Sequence, residues 1–213
     1  MSGEPHHAEP LVAFLLALRA RGFRNLPIMK ALESVPRGEF TPHQYADLAY
    51  KETALPIPCG QTMPDPFYVA RLMEALALEP HHRVLEIGSG SGYVSAVLGR
   101  LAGSVTALER FSSLVTGAQT RLAALNLPNV ETRWADGLSA ELPQGRFDRI
   151  LIHASIERLE PLWCDALTGE GLILAAQGGE LTAFRRVEGG DFRAAPVRPC
   201  RLRPLIPGLA QGL

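Results

Sequence analysis

The residues best suited to chemistry in this chain are three acids grouped around a glycine turn. The stretch "VLEIGSGSGY", residues 84–93, is an apolar strand running into Gly88-x-Gly90-x-Gly92, after which a helix begins. A turn at a strand–helix junction can be purely structural, but it also aims backbone N–H groups and a positive helix end at the crevice beyond the strand. The spacing lacks the third gap of the dinucleotide fingerprint G-x-G-x-x-G. Glu86 stands just before the turn, where a carboxylate opposes a pyrophosphate but attracts a ligand carrying an ammonium and a sulfonium. Glu109 ends the next strand, a little over ~20 residues on, the distance at which an acid takes ribose hydroxyls. Asp136, in "WADG" with Gly137, is placed to accept from an adenine amine; taken alone, Asp136-Gly137 reads as a turn. Together these features point to S-adenosylmethionine rather than NAD.

Such acids need a scaffold that delivers them to one edge. From Arg83 the chain alternates strands with helices: "RVLEI", a helix over 92–102, "SVTALE", a helix over 112–126, "NVETRW", the buried strand "FDRILI", a helix over 157–168, then "GLILAA" and "ELTAFRRV". This alternation predicts a three-layer α/β sandwich on a mostly parallel sheet. The last two strands, joined by "QGG", pair as a hairpin and give the sheet an antiparallel edge. Upstream, Leu11, Phe14, Leu15 and Leu18 recur at helical spacing, and "LPIMKALESV" forms a second amphipathic stretch ending at Pro36. Residues 51–64 read as irregular. Asp65-Pro66 then opens a helix whose apolar face is Val69, Leu72, Met73 and Leu76. The tail after Pro196 is proline-rich and receives no element. The chain reads as one domain over 1–213, with a helical and loop segment (1–80), a core (81–190) and a C-terminal segment (191–213).

Composition narrows the partners. The 213 residues carry a formal net charge of −1, with 46% hydrophobic and 20% charged residues, so no long-range field draws nucleic acid or an anionic membrane. The basic clusters "RRV" at 185–187 and "CRLR" at 200–203 read as solvated faces, and neither nucleic acid nor membrane is expected as a partner. Cys59, Cys164 and Cys200 are odd in number and widely spaced, which fits a reducing compartment and argues against a disulfide framework or a zinc site. The apolar run "LVAFLLAL" at 11–18 follows Glu4 and Glu9 rather than basic residues and is too short to span a bilayer. It reads as a buried helix of a cytoplasmic protein. His81-His82 reads as a surface turn, with no further ligands identified to complete a metal site.

Residues 83–137 resemble class I S-adenosylmethionine-dependent methyltransferases. With "VPRGEF" at 35–40, "ALPI" at 54–57, "GQT" at 60–62 and "YVARLMEALAL" at 68–78, the chain is similar to the protein-L-isoaspartate O-methyltransferase family from about residue 10 to residue 205. The resemblance implies a Rossmann-like methyltransferase fold and transfer of a methyl group from S-adenosylmethionine to the free carboxylate of isoaspartyl residues in a peptide or protein. Carried over by position, the cofactor residues are Glu86, Gly88, Gly90, Gly92, Glu109, Asp136 and Gly137, and the candidate set also takes in Ser89, Tyr93 and Arg110. Gln61 and Thr62 would lie beside the methyl group.

The acceptor loop departs from the family pattern. Where the family continues GQT with an apolar residue and a serine, this chain has Met63 and Pro64, and Pro58 stands where glycine is usual. Proline offers neither hydroxyl nor N–H to a carboxylate. Asp65 adds a negative charge close to the acceptor, or serves simply as a helix cap. In "IHAS", His153 stands where small residues are usual; it reads either as a base or substrate-orienting group, or as a side chain satisfied by a neighbouring backbone group. Cys59 reads as inert. "RLRPL", 201–205, resembles the family's segment that helps close the substrate cleft, with Leu202 in place of a common aromatic and Arg203 of a common apolar residue; Arg201 or Arg203 either attracts a carboxylate or is solvated. Beside the isoaspartyl reading stand a methyltransferase for a different acceptor and a non-catalytic S-adenosylmethionine-binding protein. Oligomeric state is not legible.

Overall fold

The protein is described by a computed structural model covering residues 8–142 and 146–211. Glu4, weighed above against a signal peptide, lies outside the described residues, as do both chain ends of the single-domain assignment. Two helices, α1 (Ala8–Ala20) and α2 (Leu26–Ser34), and two 3-10 turns, Arg37–Phe40 and His43–Leu48, lead to a short hairpin of β1 (Leu55–Ile57) and β2 (Gln61–Met63). Helix α3 (Pro66–Leu76) follows, opened as expected by Asp65, whose side chain accepts from the Tyr68 N–H at 2.8 Å.

The core alternates β3 (Arg83–Ile87), α4 (Tyr93–Leu101), β4 (Ser104–Glu109), α5 (Ser112–Ala124), β5 (Val130–Trp134), β6 (Phe147–Ser155), α6 (Pro161–Ala166) and β7 (Leu167–Gln177). It closes with β8 (Glu180–Arg186) and β9 (Phe192–Pro199). The seven-stranded sheet has the order β5-β4-β3-β6-β7-β8-β9, parallel through β7 and antiparallel thereafter. Alternate residues feed two cores: Val84 and Leu151 pack on one face, while Leu85, Ile87, Ile150 and Ile152 pack on the other with Trp163. Near-continuous apolar strands are what a sheet covered on both faces requires. Strand order reverses between β3 and β6, so the connections leaving their carboxyl ends part and open a crevice there.

Five expectations are corrected. The run at 11–18 is not a buried helix but one face of α1, with Phe14 and Leu18 buried while Val12 and Leu16 are exposed. Residues 51–64 are not irregular throughout, because the Pro58 carbonyl accepts from the Gln61 N–H and closes a hairpin turn. Cys59 and Gly60 both have positive φ in that turn (62° and 63°), which reverses the chain in the three residues between Ile57 and Gln61. The helix expected over 157–168 is only α6, since the chain enters β7 at Leu167. The proline-rich tail begins as β9, an edge strand whose prolines sit where no central ladder needs their N–H. Finally, His82 is no surface residue: it is 6% exposed, and its Nδ1 accepts from the Glu79 N–H at 3.0 Å. Among the described residues, no helix is long and apolar enough to cross a membrane.

Candidate active site

The crevice at the β3/β6 switch is a cleft partly open to solvent. Its floor is the carboxyl ends of β3, β4 and β6. One wall is the β1–β2 hairpin, and the C-terminal segment 203–206 lies along the other. Gln61, Thr62, Gly88, Ser89, Gly90, Tyr93, Glu109, Arg110, Asp136, Gly137 and His153 all line it. Glu86 and Gly92 do not. Gly92 instead packs beneath, where an added Cβ would come within 2.9 Å of Ala118.

The glycine turn offers shape more than donors. Gly88 and Ser89 donate their N–H groups to the Leu108 carbonyl (2.8 and 3.2 Å), Gly92 donates to Ser89 (2.9 Å), and Gly90 donates to Glu109 Oε2 at 2.9 Å. The expectation that the turn aims its N–H groups at a ligand is therefore corrected for these four. A turn with its donors already satisfied suits a nucleoside lying against it better than a pyrophosphate. The Ser89 hydroxyl, buried with no partner among the described residues, remains available.

Two acids remain at the cleft. Glu109 is 5% exposed and takes the N–H groups of Gly90 and Phe111 on separate oxygens, 2.9 and 3.0 Å, which fixes its carboxylate at the end of β4. Asp136 accepts from the N–H of Leu138 on Oδ1 and from Ser139 and the Gly208 N–H on Oδ2. Burial alone would raise its pKa, but these three hydrogen bonds and the charge of Arg110 hold it below the ordinary value. Gly137 lets this turn press onto β3: a Cβ there would sit 2.3 Å from Ile87. Trp163 fixes the same turn from below, donating to the Gly137 carbonyl at 2.7 Å. Sequence reasoning missed Trp163, which signals only a buried aromatic.

Glu86 is not the cleft-facing carboxylate expected. It is wholly buried, with Ser95 donating to Oε2 and His153 Nε2 2.8 Å from Oε1. His153 is thus satisfied by a carboxylate rather than by a backbone group, and its ring stands between Glu86 and the cleft. The acceptor hairpin is fixed from beneath by Arg37 of "VPRGEF". This fully buried guanidinium donates to the carbonyls of Ala49 and Pro64 and stacks 4.7 Å over the Tyr93 ring. Asp65 does not line the cleft. It faces a second cavity with Arg21, Arg71 and Arg198, so its charge is turned away from an incoming acceptor. Thr62 is exposed at the cleft mouth, and Gln61 donates to the Cys59 carbonyl at 3.0 Å. Away from the cleft, donor atoms of Glu79, His81 and His82 lie within 4.8 Å of one another.

The C-terminal segment completes the site. Arg110 donates to the Gly208 carbonyl (2.8 Å), and the Ala210 N–H donates to the Arg110 carbonyl (2.8 Å). A parallel bridge between Ser155 and Pro204 attaches the other end to β6. This strap includes the 201–205 stretch that the resemblance reads as a cleft-closing segment.

A glycine turn at a Rossmann-like switch point, flanked by acids ending successive strands, defines the class I S-adenosylmethionine-dependent methyltransferase architecture. Comparison with known proteins sharpens this. The protein-L-isoaspartate(D-aspartate) O-methyltransferase profile matches residues 11–206, and the chain belongs to that family. It is 44% identical over 204 residues to protein-L-isoaspartate O-methyltransferase 2 of Rhodopseudomonas palustris (strain HaA2), covering 94% of each chain. It is 43% identical over 202 residues to the Azorhizobium caulinodans protein-L-isoaspartate O-methyltransferase, covering 93% of each. Among solved structures, a Plasmodium falciparum protein described as a protein-L-isoaspartate O-methyltransferase in complex with S-adenosyl-L-homocysteine superposes with a TM-score of 0.75. That match has 20% identity and covers 95% of this chain and 99% of the other.

Proposed function

We propose that this protein is a cytoplasmic S-adenosylmethionine-dependent carboxyl O-methyltransferase that methylates isoaspartyl residues in proteins or peptides. The observation that carries this reading is that one cleft joins the glycine turn and its acids to the Gly60-Gln61-Thr62 hairpin. The residues fit S-adenosylmethionine: Glu109 and Asp136 keep unused lone pairs beyond their protein hydrogen bonds, and Ser89 presents an orphaned hydroxyl. Glu109 would take the ribose hydroxyls, Asp136 and Gly137 would border the adenine, and His153 would stand beside the amino-acid portion. The cofactor supplies a methyl group already activated on a sulfonium.

The chain's own task is positioning. A carboxylate acceptor is ionised near pH 7, so no strong base is required. Arg37 holds the hairpin wall, the strap narrows the opposite wall, and Ile57, Ile87 and Leu205 make part of the lining apolar. Holding the reactants in line in this way accounts for most of the barrier such a site can remove.

A methyltransferase of this fold with a different acceptor is the second reading, favoured by Pro64, which lines the cleft without a donor. The deciding experiment measures transfer from labelled S-adenosylmethionine to matched peptides, one isoaspartyl and one aspartyl. Transfer to the isoaspartyl peptide alone supports the first reading. Cofactor binding without transfer to either favours another acceptor or a binding protein.

A further inference from the structure

Pro64 removes a donor from the acceptor wall, and the structure supplies a stronger one from elsewhere in the chain. Arg203 lies on the strap and lines the same cleft as Gln61, Thr62 and Pro64. Its backbone is clamped on both sides. The Arg203 carbonyl accepts from the Ser155 N–H at 2.8 Å, and the Leu205 N–H donates to the Ser155 carbonyl at 3.0 Å. From that fixed base the side chain reaches the hairpin, where Nη1 donates to the Gly60 carbonyl at 2.8 Å. One donor of five is then used, and the edge formed by Nε and Nη2 remains whole. This is the fork that receives a carboxylate on two parallel hydrogen bonds.

The other charged groups around the cleft are already engaged. His153 is paired with Glu86, and Arg110 spends its Nε on the Gly208 carbonyl, which takes one half of its Nε/Nη2 edge, whereas Arg203 spends only Nη1. Asp65 faces the second cavity, with Arg21, Arg71 and Arg198. Among the described residues no carboxylate lies within ion-pair distance of Arg203, whereas Arg21, Arg71, Arg83, Arg133 and Arg158 each have one. A guanidinium oriented by a carbonyl, unpaired with any acid and placed beside a proline that offers no donor has what a carboxylate receptor requires.

We infer that Arg203 binds the acceptor carboxylate, taking the role of the hydroxyl that is missing at position 64. The inference rests on the proposed carboxyl-methyltransferase reading and names the residue that recognises the acceptor. Loss of a charge-assisted hydrogen bond weakens binding roughly tenfold to a hundredfold.

The test is initial-rate methylation of an isoaspartyl peptide by the full chain, with Arg203→Ala, Arg203→Lys, Pro64→Ser and Arg203→Ala/Pro64→Ser. Arg203 is exposed and Pro64 half-buried, so these substitutions leave the hydrophobic core untouched, and circular dichroism checks the fold of each variant. Arg203→Ala should raise the peptide KM at least tenfold while the KM for S-adenosylmethionine stays within twofold, and Arg203→Lys should recover part of the loss. Pro64→Ser should change kcat/KM by less than threefold in the unaltered chain and raise it about tenfold in the Arg203→Ala background. An active enzyme indifferent to Arg203→Ala, or equal gains from serine in both backgrounds, overturns the assignment alone. An unaltered chain that binds cofactor but never methylates the isoaspartyl peptide overturns the proposed function and takes this assignment with it.

Discussion

His153 Nε2 and Glu86 Oε1 lie 2.8 Å apart at the cleft floor, joining the carboxyl ends of the two strands between which the sheet order reverses. Because Ser95 occupies the other oxygen of Glu86, the carboxylate reaches the cleft only through the imidazole. His153→Ala should leave a buried carboxylate with one partner, lowering stability by about 1–3 kcal/mol. Urea unfolding at neutral pH reads this as a lower midpoint at unchanged slope. An unchanged midpoint would mean that Glu86 needs only Ser95.

Glu109 has a second consequence to lose. Its two oxygens organise the Gly90 and Phe111 backbone as well as facing the cleft. Glu109→Ala should therefore weaken S-adenosylmethionine binding at least tenfold, by titration calorimetry, through both ligand contacts and a loosened turn. Unchanged affinity would remove the ribose assignment.

Local pattern made the core legible. Alternating strands and helices from Arg83, the glycine turn, the acids ending β4 and following β5, and the Asp65-Pro66 helix start are encoded within a few residues of where they act. What stayed hidden depends on distant partners. Glu86 was read as cleft-facing because its position beside the turn is visible, while Ser95 and His153, which claim its oxygens, meet it only in the folded sheet. The strap is legible only through the family resemblance at 201–205, since its order comes from Asp136, Arg110 and Ser155 rather than from any periodicity of its own. The short hairpin at 55–63 was hidden because Cys59, not glycine, takes the first positive-φ position.

Tyr93 gives a test at alkaline pH. Its ring is buried against Phe40 and Arg37, and its hydroxyl has no hydrogen-bond partner among the described residues. Burial pushes its pKa up to about 12, outweighing the opposing charge of Arg37. A folded pKa above the unfolded value means the tyrosine supports the fold fully below pH ~10 and loses that support as pH rises toward the folded value. Tyr93→Phe should stay within about 1 kcal/mol of the unaltered chain at pH 7. Between about pH 10 and 12 its stability should fall less steeply, by denaturant unfolding across that window. Parallel alkaline limbs would show that Tyr93 does not titrate with unfolding.

Asp136 makes the opposite prediction on the acid side. The Gly208 N–H sits 2.7 Å from Oδ2, and this bond, with those from Leu138 and Ser139, holds the carboxyl below its ordinary pKa despite burial. A depressed folded pKa means that the contribution is present above the ordinary carboxyl value of about 3.9 and is lost as pH falls through the folded value. The strap should therefore stay docked at neutral pH and loosen only below about pH 4. Asp136→Asn keeps an oxygen acceptor but removes the charge, so docking should be weaker at pH 7 and indifferent to acid. The Gly208 amide resonance reports this directly: it should titrate below pH ~4 in the unaltered chain and stay flat in the variant. A Gly208 amide that titrates alike in both would mean that Arg110, which donates to the Gly208 carbonyl, and Ser112, which donates to the Gln211 carbonyl at 2.7 Å, hold the strap in place of Asp136.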